Sequence, residues 1–192
     1  MPLPVSAPAA FRQQLLAAIP RLRRYARSLV FDPAAADDLV QTALERALTH
    51  WHQFDQRRDI LVWTISIARN AFIDERRRRS RLSLVEPDAG DDAAPADAHL
   101  DRWASAPGTD VGLRIDLVAA LQRLPVDQRE ALILVCVEQF SYAECAEALA
   151  IPIGTVMSRV SRGRSTLRAL LDGGSGPPIV PVAGAPVLCR VV

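Results

Sequence analysis

Lysine is absent from this chain: all 23 basic residues among its 192 are arginine, a bias that reads as genome composition rather than chemistry. Long apolar runs are absent as well. No stretch approaches the roughly 20 residues that a membrane-crossing helix requires. The start, MPLPVSAPAAF, lacks the charged end and apolar core of a signal peptide. The expectation is a cytoplasmic protein with no membrane insertion. Cysteine is scarce: Cys136, Cys145 and Cys189 are too few and too irregularly spaced for a disulfide framework. The first two fall in apolar helical stretches and are expected to be small buried side chains rather than redox sensors. Histidine offers no more. His50 and His52 form an H-x-H pair with no cysteine or third histidine beside them, and His99 stands alone. With no nucleophile–base pair, phosphate loop or closed metal-ligand set, the chain reads as a non-enzyme without metal or cofactor. Nothing alternates with the period of a strand over several segments, which leaves an all-α fold.

What is present is apolar content and a charge asymmetry. A hydrophobic fraction of 49% is ample for packed cores, and the length leaves room for one or two small domains. The net charge of +1 conceals opposed segments: residues 1–80 carry 13 arginines and 8 acids, 81–113 carry 2 and 7, and 114–171 carry 7 and 6. Two segments with basic faces flank an acidic one, as in a pair of nucleic-acid-contacting modules joined by a solvated linker.

Phe11, Leu15, Leu16 and Ile19 begin a helical period, and Pro20 is expected to open a second helical piece, Arg21–Val30, since proline is welcome in a first turn. Asp32 is a natural cap for a helix from Ala34 to about Trp51. That helix has an apolar face of Leu39, Val40, Ala43, Leu44, Ala47, Leu48 and Trp51, and a polar face of Asp37, Asp38, Gln41 and Glu45. The stretch His52–Asp59 reads as a short polar loop, and Ile60–Arg79 as a helix that buries Trp63, Ile67 and Ala71 and ends in the run Arg76–Arg79. Residues 81–110 are rich in Ala, Asp, Pro and Gly and read as a flexible acidic linker. Leu113–Leu124 and Asp127–Phe140 resume the helical period, with Pro125 between them, and the Gly/Pro-rich apolar tail is expected to lack regular structure. The domain reading is therefore 10–80, a linker over 81–112, 113–171, and a tail over 172–192.

The most informative stretch is SYAECAEALAIPIGTVMSRVSRGRSTLRALL, residues 141–171. A first helix from Ser141 to about Ala150 is stopped by Ile151-Pro152, because proline removes a donor and disfavours a helical residue before it. On a wheel of about 100° per residue, Val156, Val160, Gly163, Leu167 and Leu170 of the second helix share one face. Thr155, Ser158, Arg159 and Arg162 form a separate polar face, and four arginines lie between Glu147 and Asp172 with no acid among them. A short turn and a basic second helix is how a helix-turn-helix enters the major groove, with phosphate contacts supplying much of the affinity.

Five phrases then stand in order: PRLRRYARSL, DPAAADDLVQTALERAL, WTISIARNAFIDERRRR, LPVDQREALILV and FSYAECAEALAIPIGTVMSRVSRGRSTLRALL. With them, residues 20–80 resemble sigma domain 2 and residues 114–171 resemble sigma domain 4 of the extracytoplasmic-function (ECF) group of bacterial sigma factors, over roughly two thirds of the chain. The resemblance implies a sigma factor of two helical domains, whose partners are core RNA polymerase, promoter DNA and an anti-sigma factor. It implies that Asp38, Leu39 and Gln41, with Asp37 and Glu45 nearby, dock on the polymerase, where an acidic face suits an arginine-rich surface. It places His52, Gln53, Phe54, Asp55, Gln56 and Arg57 in the loop that captures an unstacked −10 base. Phe54 either supplies a stacking face there or tucks the loop onto the core. Asn70 falls near the upstream edge of the −10 element, and Arg69, Arg76 and Arg77 are expected phosphate contacts. Thr155, Ser158, Arg159 and Arg162, with Arg164, are implied to read the −35 element, where an arginine can pair bidentately with guanine. Two positions depart from the common pattern. Met157 stands where many relatives carry Arg or Lys, and Thr42 where many carry an acid. A stand-alone helix-turn-helix regulator, with an N-terminal sensor or dimerisation domain, is the alternative, and the DDLVQ and IARN helices argue against it.

Overall fold

The computed structural model describes residues 7–83 and 111–172, and every regular element among them is helical. Helices extend into the expected linker over 81–83 and 111–112; its remainder and the expected tail after residue 172, including His99 and Cys189, lie outside the described residues. Helix α1 spans Ala9–Val30 and runs unbroken through Pro20, contrary to the expected division there. Its buried face continues on both sides of the proline, through Leu15 and Ala18 to Leu22, Tyr25 and Leu29. Pro20 itself is exposed, as is Leu16 one turn earlier, so the carbonyl deprived of its donor lies on a solvated side. Burial along the whole face outweighs one missing hydrogen bond.

Phe31 closes α1 in the left-handed region at φ 56°, and its N–H bonds the Arg27 carbonyl. Asp32 then caps α2 (Pro33–Thr49), its carboxylate accepting from the Ala35 N–H at 2.6 Å, with Pro33 in the first turn. A single 3-10 turn, Trp51–Gln53, leads into the loop before α3 (Ile60–Ser83). Asp59 receives the Leu61 N–H at 2.7 Å and anchors the start of α3, a capping role not expected from the sequence. Leu48 departs from expectation: it is 43% exposed, on the solvent side of α2.

Helix α4 spans Val111–Arg123 and α5 spans Val126–Cys136. The expected continuation of α5 to Phe140 fails because Gln139 takes φ 59° and the Phe140 N–H turns back to the Leu134 carbonyl. Cys136 is consequently exposed at the helix end rather than buried. Ser141 and Glu144 form a reciprocal capping box that starts α6 (Tyr142–Leu149). Those bonds hold the Glu144 carboxyl below its ordinary value. Ala150 at φ 50° and Pro152 make the sharp turn into α7 (Ile153–Leu171). The close approach of α5 and α7 needs Gly163, where a Cβ would stand 3.3 Å from the Gln128 carbonyl oxygen.

Helix α3 is buried on two sides. Leu61, Val62, Ile65, Ala68 and Phe72 join the main core, while the half-buried Trp63 and Ile67 pack on a smaller cluster with Phe11, Leu15, Ala47 and Phe54. The main core is continuous from α1, α2 and α3 into α5, α6 and α7: α1 packs on α5, and α3 on α6. Among the described residues no helix is long and apolar enough to cross a membrane.

Candidate nucleic-acid and polymerase interfaces

On α2 the exposed face carries Asp37, Asp38, Gln41 and Glu45. Asp37 pairs with Arg23 at 3.1 Å, and the Gln41 amide donates to Glu45 at 3.0 Å, so both of these carboxylates are already held by neighbours on α1 and α2. Leu39 differs from expectation. It is 9% exposed and packs in the core beneath that face. Leu48 is the exposed apolar residue of this surface. It follows Gln41 by about two helical turns, a spacing that would have placed it there.

The loop after α2 offers His52, Gln53, Asp55, Gln56 and Arg57 to solvent. Asp55 turns one oxygen inward to the Arg57 N–H at 3.0 Å, which sets the loop's bend. Of the two readings of Phe54, the structure has the ring tucked onto the core. It is 9% exposed, with its centroid 5.7 Å from Phe11 and 5.2 Å from Trp63, and it pins the loop to the small aromatic cluster. His50 and His52 rings lie 6.3 Å apart, and among the described residues no group of three potential metal ligands forms. Along α3, Asn70, Arg76 and Arg77 are exposed, and Arg69 is half-buried.

On α7 the buried side is as expected, with Val156, Val160 and Gly163 inside. The outward side is rotated from the expected polar face. Met157, Ser161, Arg162, Arg164 and Ser165 are exposed, whereas Thr155, Ser158 and Arg159 are half-buried. Arg159 holds Asp127 at 2.7 Å with only 18% of its side chain exposed, so it lies on the flank of the helix rather than at the centre of a groove-facing strip. Arg162 is braced over Ser158, its Nε donating to the carbonyl at 3.3 Å and Nη2 to the hydroxyl at 3.1 Å. The Arg164 guanidinium lies 3.3 Å from the Cys136 sulfur.

The joint between the two halves is built of charge as well as apolar surface, which the sequence did not signal. Glu138, just beyond α5, is fully buried. Arg21 donates to it at 3.0 Å and also to its carbonyl, and Arg24 donates twice, at 2.6 and 2.9 Å. Glu130 receives the Tyr25 hydroxyl at 3.1 Å and Arg69 at 3.4 Å. Burial pushes the Glu130 carboxyl above its ordinary range, with Arg69 and Tyr25 pulling it back. Burial and then the neighbouring Glu130 push the Tyr25 hydroxyl well above its ordinary value. Arg129 crosses the joint in the other direction, donating to the Leu29 carbonyl at 3.0 Å and lying 4.6 Å from the Phe31 ring centroid. Burial lowers it to about 10, with Glu130 opposing and Arg76 adding repulsion. Beside the joint, Arg76, Asp127, Gln128, Thr155, Arg159 and Arg162 line a cleft of about 500 Å³. Packing of the halves thus brings an expected −10 contact together with three expected −35 contacts and ties Arg69 to Glu130, while Arg159 pairs with Asp127 inside the second half. Cys145 is buried beside the joint and its thiol is pushed up to about 12 by burial, then by Glu130.

Two families match the chain: one described as Sigma-70 region 2 over residues 16–82, and one described as Sigma-70, region 4 over residues 114–167. The ECF RNA polymerase sigma factor EcfG of Rhodopseudomonas palustris is 41% identical over 161 residues, covering 83% of this chain and 84% of that protein. Among solved structures, the sigma factor RpoE in complex with the anti-sigma factor NepR from Bartonella quintana superposes with a TM-score of 0.73 at 34% identity. That match covers 85% of this chain and 98% of the other. CnrH in complex with the cytosolic domain of CnrY superposes with a TM-score of 0.60 at 26% identity, over 86% of this chain and 90% of the other.

Proposed function

The chain belongs to the ECF group of sigma-70 RNA polymerase sigma factors, and from that premise we propose how its surfaces divide the work of promoter recognition. As a sigma factor it lends sequence specificity to core RNA polymerase and has no catalytic step of its own. The exposed α2 face of Asp37, Asp38, Gln41 and Glu45 docks on the polymerase. Asp38 is its least committed carboxylate and Leu48 its apolar edge. The loop residues His52, Gln53, Asp55 and Arg57, with Asn70, Arg76 and Arg77 along α3, meet the −10 element. Helix α7 meets the −35 element through Ser158 and Arg162, with Thr155, Arg159 and Arg164 at its sides. The domain division follows the same lines: 10–80 for polymerase docking and −10 contact, 113–171 for −35 contact. The working compartment is the cytoplasm, where polymerase and promoter are.

The observation that carries this division is the pairing of Arg69 with Glu130 and of Arg159 with Asp127. Arg69 is held by a carboxylate across the joint, and Arg76 shares one cleft with Arg159 and Arg162, so we take the described arrangement as the resting form. Engagement of both promoter elements requires the halves to separate. An anti-sigma factor is the partner that would hold the resting form, since solved relatives are complexes with NepR and with CnrY. The test is run-off transcription from fragmented genomic DNA with core polymerase and the purified chain. Discrete starts that share two upstream elements are expected. Asp38→Ala and Gln41→Ala should each weaken core binding by about fivefold, the effect of losing one charge-assisted contact, without changing which promoters are used. Unaided high-affinity duplex binding with no transcripts would instead mean a conventional helix-turn-helix regulator.

A further inference from the structure

The outward strip of α7 contains two large apolar side chains that stand half in solvent. Met157 is 51% exposed and Ile153, one turn earlier, is 49% exposed. The helix already has a complete buried face on the other side, through Val156, Val160 and Gly163, so packing of the domain does not demand either residue. They flank the polar groups that point outward, Ser161 and Arg162. They also lie in the first half of α7, the part of a second helix that approaches base edges.

We infer that Met157, seated against Ile153, forms a subsite on α7 for the C5-methyl group of thymine in the −35 element. The inference rests on the sigma-factor reading above. Its warrant is chemical. The major-groove edge of a base pair presents hydrogen-bonding groups and one apolar feature, the thymine methyl, which apolar side chains contact. A charged residue at position 157 would select phosphate or guanine, whereas an unbranched thioether cannot hydrogen-bond a base edge usefully. It can reach and adapt to a methyl group. Arg162, braced over Ser158 and about one and a half turns further along α7, is the group that would pair with a purine nearby. The expected base preference of this helix is thus a thymine near a guanine rather than a run of guanines. Arg159, committed to Asp127, acts on the flank.

The test is selection from a library with a randomised −35 region and a fixed −10 element, using core polymerase with the full chain, as wild type, Met157→Ala and Met157→Arg. Wild type should select thymine at one position, Met157→Ala should lose that preference, and Met157→Arg should change it towards guanine. Replacing the selected thymine by deoxyuridine removes only the methyl group. It should weaken wild-type binding about fourfold, the equivalent of ~0.8 kcal/mol for one buried methyl, and leave Met157→Ala unaffected. Met157 is exposed, so its variants should fold as the parent does. Unchanged selection by Met157→Ala, or equal binding of deoxyuridine and thymine by wild type, overturns the inference and leaves the apolar strip to a protein partner. Absence of any selected −35 sequence in all three proteins overturns the sigma-factor reading itself.

Discussion

The two halves of the molecule differ in the charges they bring to their joint, apart from Arg129, which crosses from the second half as a buried cation. The first half contributes guanidiniums that remain partly in water: Arg21 and Arg24 keep 39% and 50% of their side-chain exposure. The second contributes carboxylates that are buried, Glu138 fully and Glu130 nearly so. A charge that keeps water contact can return to bulk solvent at little cost, while a buried carboxylate stripped of its partners cannot. The joint is therefore asymmetric. It is released cheaply when the second half's acids can be rehydrated, and it is strained when only the arginines are removed.

Deleting the arginines should give the largest effect. Arg21→Ala with Arg24→Ala leaves Glu138 without its side-chain donors, a loss of about 3–5 kcal/mol if the halves stay packed. The molecule avoids that cost by opening. Small-angle scattering should report an increased radius of gyration for the double variant, with each half retaining its helicity. Glu138→Gln, which leaves only exposed guanidiniums unpaired, should open the molecule less. Equal expansion of the two variants would remove the asymmetry argued above.

Glu130 sharpens the comparison through pH. Its folded carboxyl is raised above the ordinary value, first by burial. A raised carboxyl contributes stability that is complete below its unfolded value and lost as pH rises through its folded value. Glu130→Gln is neutral throughout, so by linkage it should gain stability relative to the parent as pH rises to neutrality. That gain should shrink towards zero as pH falls to the ordinary carboxylate range. Tyr25, Arg129 and Cys145 are each shifted by Glu130, but all three titrate above pH 8 and add no slope across the range measured; Arg69 and Asp127 face the same carboxyl. Thermal melts of both proteins across pH 4 to 8 measure the gain; a gain that grows on acidification would refute the assignment.

Much of this architecture is legible in the chain because it is local. The wheel of α7, the cap at Asp32 and the stop at Pro152 each depend on residues a few positions apart, and helix periods make them readable. Pro20 misleads because the local rule for proline ignores a buried face extending in both directions. Leu39 belongs to the core although it sits within a phrase shared with the family, and Phe54 although it sits in a polar loop, since adjacency in sequence does not say which neighbour points outward. The exposed side of α7 differs from the expected one at Arg159, whose placement involves Asp127, 32 residues earlier. The joint is unreadable for the same reason. Glu138 follows an apolar run that resembles a core helix, and its arginine partners lie more than a hundred residues away.

The smallest effects separate the two glycines of α7, one facing out and one facing in. A Cβ added at Gly154 would meet nothing within 4 Å, so Gly154→Ala should gain about 0.5–1 kcal/mol from reduced backbone freedom in the unfolded chain. The same helix-propensity gain is available at Gly163, but there the new methyl meets the Gln128 carbonyl oxygen at 3.3 Å. That oxygen is backbone within α5 and cannot swing aside as a side-chain end could. Separating α5 and α7 by a few tenths of an ångström would loosen Val156 and Val160 between them. The two terms oppose each other, so Gly163→Ala should be less stable than Gly154→Ala by about 1 kcal/mol or more. Denaturant midpoints of the two variants decide it, because both substitutions share the propensity term and differ only in what the methyl group meets. Identical midpoints would mean that the approach of α5 and α7 has slack, and that the orientation of α7 is fixed by the Arg159–Asp127 pair instead.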